Sequence, residues 1–246
     1  MRTILTFGFI FLFLLVGYIP LGIFWLYRKV DAKKADLMQL QLIQGVFRIL
    51  TKLAGIKLTV IGAENIPTDE AILYVGNHRS MIDIVITYAQ CPGLTGFVSK
   101  NVVEKVPALR VWMRRLHCEF LDRDDIKQGL KVILSCIDKV KSGISIFIFP
   151  EGTRNKNKED SSDISTFKDA SFKIAKKTGC RIVPVAITGT NTIFEDHAPF
   201  VKSGKVILEY GKPISVEDLD VEDQKRIGAY FQNHIQTMLI KHKKMI

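Results

Sequence analysis

Several short motifs on which enzyme chemistry often depends are absent from this chain. It contains no Gly-x-x-x-x-Gly-Lys-Ser/Thr phosphate loop and no Gly-x-Gly-x-x-Gly turn, which leaves nucleotide hydrolysis without support. It has no His-Glu-x-x-His zinc motif, and its remaining histidines lack ligand spacing. A Gly-x-Ser-x-Gly nucleophile elbow is also missing. The sequence therefore predicts no metal, no bound cofactor and no serine nucleophile of that kind.

Cysteine is scarce and has no paired spacing. The chain has four cysteines and no Cys-x-x-Cys motif. They are Cys91, Cys118, Cys136 and Cys180. Because Cys118 and Cys136 lie in or beside apolar runs, we predict reduced core residues rather than a disulfide framework, which favours a reducing compartment.

Charge is missing from residues 3–27, where Leu, Ile, Phe and Val dominate. About 20 apolar residues cross a bilayer as a helix, so this run is long enough. It ends in aromatic residues followed by Arg28 and Lys29 and shows no clear small-residue cleavage site, which favours an interfacial anchor over a secretion signal. Because Gly17 and Pro20 interrupt the run, two geometries stay open: a single span, or a broken helix that dips into one leaflet.

Basic residues are in excess, with a formal net charge of +10. Such a surface favours phosphates and anionic lipid headgroups. Nucleic acid is disfavoured because the basic residues lack interleaved stacking aromatics. Lys and Arg are denser after the apolar run than before it. This asymmetry predicts a cell-membrane protein in which the chain after the apolar run lies on the cytoplasmic face.

Residues 35–54 form a second helical pattern that could pack on the domain, lie on the membrane, or both. We therefore predict membrane-associating helices over residues 1–54 and a catalytic domain over 55–246.

The rest of the chain alternates between short apolar strands and helices. This rhythm predicts an α/β fold with a mixed, largely parallel central sheet flanked by helices. The predicted strands cover residues 57–61, 71–75, 95–99, 118–121, 144–149, 182–187 and 205–210. The predicted helices cover residues 80–89, 108–116, 125–141, 166–178 and 221–243. Residues 155–165 are polar and should form an exposed loop.

Two polar clusters follow predicted strands, which is where α/β proteins build sites. In the first, His78 precedes Asp83 by five residues, so on a continuous helix the two side chains would point about 140° apart. Their contact therefore requires His78 in a turn and Asp83 on the first turn of the next helix. A carboxylate on one ring nitrogen would fix the tautomer and make His78 a general base.

The second cluster is Phe149-Pro150-Glu151-Gly152-Thr153-Arg154. The backbone N–H groups of Gly152 and Thr153, together with the guanidinium of Arg154, suit an anion such as a phosphate. Lys100 and Arg123 are further basic candidates between the two clusters. Without a protein nucleophile or a metal, the simplest partner for the base is a substrate hydroxyl.

In their order and spacing, these residues resemble the four motif blocks of the glycerolipid acyltransferases. The blocks here are His78-x4-Asp83, Phe120-x2-Arg123, residues 149–154 and Ile182-Val183-Pro184-Val185, within a resemblance that covers roughly residues 55–215. The family implies a glycerol-3-phosphate acyltransferase-like fold. One departure stands out, because many members have a glycine where this chain has His117-Cys118.

The resemblance also implies roles for individual residues. His78 would be the base and Asp83 its partner. The phosphate and glycerol would be bound by Lys100, Arg123, Glu151, Gly152, Thr153 and Arg154. Pro184 would serve the acyl side or the shape of the site.

The implied reaction transfers an acyl chain from acyl-CoA or acyl-carrier protein, as co-substrate, to the sn-2 hydroxyl of lysophosphatidate, which gives phosphatidate. Two alternatives stay open. The same chemistry could act on glycerol 3-phosphate or another lysophospholipid, or the chain could be a non-enzymatic membrane protein that binds anionic lipids. Membrane phospholipid is an expected partner in either case.

Overall fold

The structure, a computed structural model, describes residues 1–122 and 125–245. The helices are α1 (Arg2–Val16), α2 (Tyr18–Tyr27), α3 (Ala32–Leu53), α4 (Ile82–Tyr88), α5 (Pro107–Arg115), α6 (Ile126–Lys141), α7 (Lys173–Thr178), α8 (Val221–Lys225) and α9 (Ile227–His242). The strands are β1 (Ile56–Ile61), β2 (Leu73–Gly76), β3 (Thr95–Lys100), β4 (Glu119–Leu121), β5 (Ser145–Ile148), β6 (Ile182–Thr188) and β7 (Gly204–Tyr210).

The strands form one mixed sheet in the order β1-β7-β6-β2-β5-β3-β4. Strands β2 to β6 run parallel to one another, whereas β7 is antiparallel to β6 and parallel to β1. Apolar clusters cover both faces of the sheet. The predicted largely parallel α/β sheet is therefore confirmed, and the carboxyl ends of five strands meet at one edge.

Two of the predicted helices are interrupted. Residues 166–178 contain a 3-10 turn (Asp169–Phe172) before α7, and residues 221–243 divide into α8 and α9. At the second break, the carbonyl of Gln224 accepts from the Lys176 ammonium at 2.7 Å, and the Gly228 N–H donates to Asp169 Oδ1 at 2.8 Å. These tertiary bonds replace the bond from Gly228 to Gln224 that a continuous helix would make.

The N-terminal apolar run forms two helices that meet at Gly17 with a bend of 43°. A Cβ at Gly17 would lie 2.5 Å from the Phe13 carbonyl oxygen and 3.1 Å from Trp112 Nε1, so glycine allows this corner to pack closely against α5. Pro20 lies in the first turn of α2, where a missing N–H costs no helical bond. Among the described residues, no single helix has the length and apolar composition to cross a membrane, but α1 and α2 together satisfy both as a bent pair.

Helix α3 packs on the α/β domain. Its buried Gln44 donates to the Cys91 carbonyl at 2.6 Å, and Asp36 pairs with Arg28 and with His117 Nε2 at 2.9 Å. His117 occupies a left-handed conformation with φ 60°, which glycine adopts more easily. The histidine at this departure from the family pattern therefore joins the domain to the N-terminal helices through Asp36.

Candidate active site

The His78–Asp83 pair lies where β2 ends and α4 begins. The side chain of Asn77 bonds both the N–H and the carbonyl of Ile187 on β6, at 2.8 and 2.9 Å, which fixes the start of the turn. His78 then lies in the turn, and Asp83 lies on the first turn of α4. His78 Nδ1 is 2.8 Å from Asp83 Oδ2, so the predicted turn geometry is confirmed.

Asp83 is fully buried and is surrounded by donors. Oδ2 accepts the backbone N–H groups of Arg79 and Ser80, each at 2.8 Å, and Oδ1 accepts from the Thr190 hydroxyl at 2.5 Å. This arrangement suits an ionised carboxylate, so the proton between the two side chains belongs on His78 Nδ1. The lone pair of Nε2 is then available to a substrate proton.

Glu151 connects the two sequence clusters. Its Oε1 accepts the N–H of His78 at 2.6 Å, its Oε2 accepts the N–H of Ser165 at 2.9 Å, and only 5% of the residue is exposed. Burial raises the pKa of Glu151, and the two backbone N–H groups oppose that rise. Phe149, from the same cluster, stacks on the His78 ring with centroids 4.2 Å apart. The second motif thus holds the first in position.

A small cleft lies at the carboxyl ends of β3, β4 and β5. Ser99, Gly152 and Lys168 line it, and a Cβ at Gly152, whose φ is 73°, would lie 3.2 Å from Lys168 Nζ. Lys100 ends β3 at the same edge and is exposed. The N–H of Gly152, which was predicted to bind an anion, instead donates to the Phe149 carbonyl at 3.0 Å. The ammonium groups at this strand edge can still pair with a phosphate.

A second polar cleft of about 210 Å³ lies on the other side of the motif. Arg154 lines it and pairs with Glu195 Oε1 at 3.0 Å, and Thr153 is exposed beside it. Glu195 Oε1 also accepts the Met81 N–H at 2.8 Å, so Arg154 is connected through Glu195 to the start of the helix that carries Asp83.

Two predicted site residues have a different status. Arg123 falls outside the described residues. Pro184 is buried within β6 and lines neither cleft. Its carbonyl accepts the Gly211 N–H at 2.8 Å, beyond the β6–β7 ladder, which begins at Val185. The missing N–H of Pro184 therefore costs no bond in that ladder.

Sequence reasoning missed Asn77, Thr190, Glu195 and Arg79. Arg79 is buried, and its guanidinium donates to the carbonyls of Asn157, Asp160 and Asp163, which holds the 155–165 loop beside the site. For Thr190 and Glu195, the sequence did contain a signal: a row of polar residues follows β6 directly, and the carboxyl end of β6 lies at the same sheet edge as His78.

An apolar cavity of about 330 Å³ lies beside the turn. Residues from α1, α3, α4, α5 and the loop after β6 line it, among them Phe7, Phe13, Val46, Val85, Trp112 and Phe194. Met81 and Ile82, between His78 and Asp83, also line this cavity. An apolar chain could therefore approach the base from this side.

The cysteines offer no alternative nucleophile. All four are free and buried, which confirms the prediction of reduced core residues. Burial raises the pKa of the Cys91 and Cys136 thiols to about 12 and that of Cys118 to about 11. Thiolates would be scarce at neutral pH.

The geometry defines a histidine–carboxylate site between an apolar cavity and two polar clefts, on a mixed α/β sheet. Residues 57–188 match the family model described as "Acyltransferase". The chain is 30% identical to a 1-acyl-sn-glycerol-3-phosphate acyltransferase of Borreliella burgdorferi, over 79% of this chain and 76% of that relative. It is 32% identical to the chloroplastic enzyme LPAT1 of Arabidopsis thaliana, over 67% of this chain but 46% of that relative.

A solved structure has a similar fold. The crystal structure of the 1-acyl-sn-glycerophosphate (LPA) acyltransferase PlsC from Thermotoga maritima matches with a TM-score of 0.82, covering 98% of this chain and 95% of that one, at 24% identity. The chain belongs to the acyltransferase family. The resemblance drawn from the four motif blocks is thereby confirmed.

Proposed function

We propose that this enzyme transfers an acyl chain from a thioester donor to the sn-2 hydroxyl of lysophosphatidate. The observation that carries the proposal is the His78–Asp83 pair, whose Nε2 has no hydrogen bond from the described residues. The neighbouring Arg79 lines a polar cleft, and Met81 lines the apolar cavity. Nε2 takes the proton of the hydroxyl, and the oxygen attacks the thioester carbonyl. The carbon–sulfur bond then breaks, and the thiolate takes the proton back from the imidazolium.

Each substrate part finds a region of matching chemistry. The apolar cavity suits an acyl chain, and the cleft with Gly152 and Lys168 suits the phosphate. Lys100, Arg123, Thr153 and Arg154 add binding groups, as the family pattern implies, and Pro184 supports the shape of β6. Binding of the distant phosphate would place the hydroxyl near the base. Because the thioester already activates the acyl group, the proposed reaction uses no metal or cofactor.

The experiment that tests this proposal measures radiolabelled acyl transfer by purified protein in detergent. Matched acyl-CoA and acyl-carrier-protein donors are combined with lysophosphatidate, glycerol 3-phosphate and a lysophospholipid with a larger headgroup. We expect phosphatidate from lysophosphatidate with at least one donor, at a kcat/KM at least tenfold above the other acceptors, because loss of one binding group costs about 1.4 kcal/mol or more. Preferred transfer to glycerol 3-phosphate would favour the same chemistry on that acceptor instead. No transfer to any acceptor would favour a lipid-binding protein.

We also propose that α1 and α2 attach the enzyme to a membrane. Their exposed surface is apolar: Phe11 is 71% exposed and Leu15 is 65% exposed. The double variant Phe11→Asp/Leu15→Asp should lower the fraction bound to anionic phospholipid vesicles at least tenfold, because a charge in hydrocarbon costs about 2.5–3.5 kcal/mol. Co-sedimentation measures the bound fraction. The control is Leu130→Asp/Leu134→Asp on α6, whose side chains are similarly exposed. Equal binding of both double variants would contradict the proposal.

The excess of basic residues after the apolar run supports a cytoplasmic position for the domain at the cell membrane. Protease added to intact cells should then leave the domain uncut. Digestion of the domain before the cells break open would place it on the opposite face.

A further inference from the structure

The loop after β6 brings a hydroxyl group to the carboxylate of the site. Thr190 is fully buried, and its Oγ1 donates to Asp83 Oδ1 at 2.5 Å, across 107 positions of sequence. The loop begins from a fixed point, because Ile187 is bonded to Asn77 and the Thr188 hydroxyl is 2.8 Å from Nδ1 of buried His242. The Thr190 carbonyl accepts the Ile193 N–H at 3.1 Å, which closes the first turn of the loop.

The two oxygens of Asp83 have unequal support. Oδ2 accepts two backbone N–H groups besides contacting His78, whereas the only hydrogen bond seen to Oδ1 within the described residues comes from Thr190. Backbone donors persist whatever side chain is present at positions 79 and 80. Loss of the Thr190 hydroxyl would instead leave one oxygen of a buried anion without a donor.

We propose that Thr190 is a positioning residue for the reaction proposed above: it fixes the rotation of the Asp83 carboxylate and thereby the plane of the His78 ring. With both oxygens held, Oδ2 stays aligned with Nδ1 and the Nε2 lone pair stays aimed at the substrate. The hydroxyl also stabilises the negative charge of the carboxylate. Removing the hydroxyl increases the proton affinity of the His78–Asp83 pair. Protonation should then inactivate the base at a higher pH than in the wild type.

The decisive comparison uses Thr190→Val, which keeps the shape of the side chain without its hydroxyl, and Thr190→Ser, which keeps the hydroxyl. We expect Thr190→Val to lower kcat about tenfold, as expected for loss of one hydrogen bond to a charged group. It should leave the KM for lysophosphatidate within about twofold and move the acid limb of the kcat/KM profile upward by about half a pH unit. Thr190→Ser should stay within about threefold of the wild type.

A matched control is available in the same loop. Thr192 is exposed, and its hydroxyl bonds only the nearby Gly189 carbonyl at 2.8 Å among the described contacts, so Thr192→Val should leave kcat and the acid limb unchanged. A thermal unfolding curve shows whether Thr190→Val remains folded. An unchanged acid limb in folded Thr190→Val, or a kcat that serine does not restore, would overturn the proposal.

This inference rests on the proposed function, and one readout separates the two. The proton between His78 Nδ1 and Asp83 Oδ2 gives a downfield resonance in the proton NMR spectrum, which His78→Asn assigns by its disappearance. Thr190→Val should move that resonance further downfield, because Oδ2 becomes the stronger acceptor. If the wild type transfers no acyl group while the resonance still moves, only the proposed function fails. If the resonance does not move, the positioning role fails.

Discussion

Replacement of His78 by alanine should lower acyl transfer at least about 10²-fold, the lower range for removal of a general base. The side chain supplies the only imidazole that contacts Asp83 in the described part of the chain. Lysophosphatidate binding should persist, because none of the residues proposed to hold its phosphate belongs to the segment 77–83 that carries His78. Transfer is measured at saturating substrate, and binding is measured by titration calorimetry.

The histidine control is His234→Ala. His234 lies on α9 and stacks on Tyr230, away from both clefts that flank the motif. Its turnover should stay within about twofold of the wild type, as for other substitutions away from the site. Near-normal transfer by His78→Ala would remove the base assignment. A parallel loss of lysophosphatidate binding would show instead that the ring, or the turn that carries it, contacts the acceptor directly.

Local chemistry explains which parts of the site could be predicted. His78 and Asp83 are separated by only five positions, so helix geometry alone required a turn before α4, and the structure has that turn. The clusters at 78–83 and 149–154 were expected near each other because both follow strands of a parallel sheet. Strands β2 and β5 are indeed direct neighbours.

Contacts between distant segments explain what could not be predicted. The bond from Thr190 to Asp83 depends on which strand lies beside β2, and no local pattern encodes that neighbour. The break between α8 and α9 depends on Lys176 and Asp169, which compete for the backbone groups of Gln224 and Gly228. Arg79 was assigned no role from the sequence, because its burial depends on carbonyls of the distant 155–165 loop that accept from its guanidinium.

Glu151→Gln should both destabilise the fold and slow the reaction. The Glu151 carboxylate accepts one backbone N–H at each oxygen, whereas an amide has one oxygen and one NH₂ group. One N–H, at His78 or at Ser165, would face another donor inside the protein. We expect the free energy of unfolding to fall by about 1–3 kcal/mol, the cost of a buried unsatisfied group, and kcat to fall at least about tenfold. Urea unfolding and the transfer assay measure the two effects.

The matched control is Glu70→Gln, which makes the same replacement of a carboxylate by an amide. Glu70 forms an exposed ion pair with Arg181 at 2.5 Å, and such surface pairs contribute at most about 1 kcal/mol. If Glu151→Gln destabilised the protein no more than Glu70→Gln, the two backbone bonds of Glu151 would have little structural importance.

The kinetic pattern of Glu151→Gln separates two roles that the family resemblance and the geometry assign differently. The family pattern places this glutamate among the groups that bind glycerol phosphate. In the structure, both carboxylate oxygens instead accept backbone N–H groups, and one of these belongs to His78. A residue that acts through the position of the base lowers kcat and leaves KM nearly unchanged, whereas lost ground-state contact with the acceptor raises KM. We therefore expect the KM for lysophosphatidate to change less than about threefold. A large rise in KM at constant kcat would show direct contact between Glu151 and the acceptor.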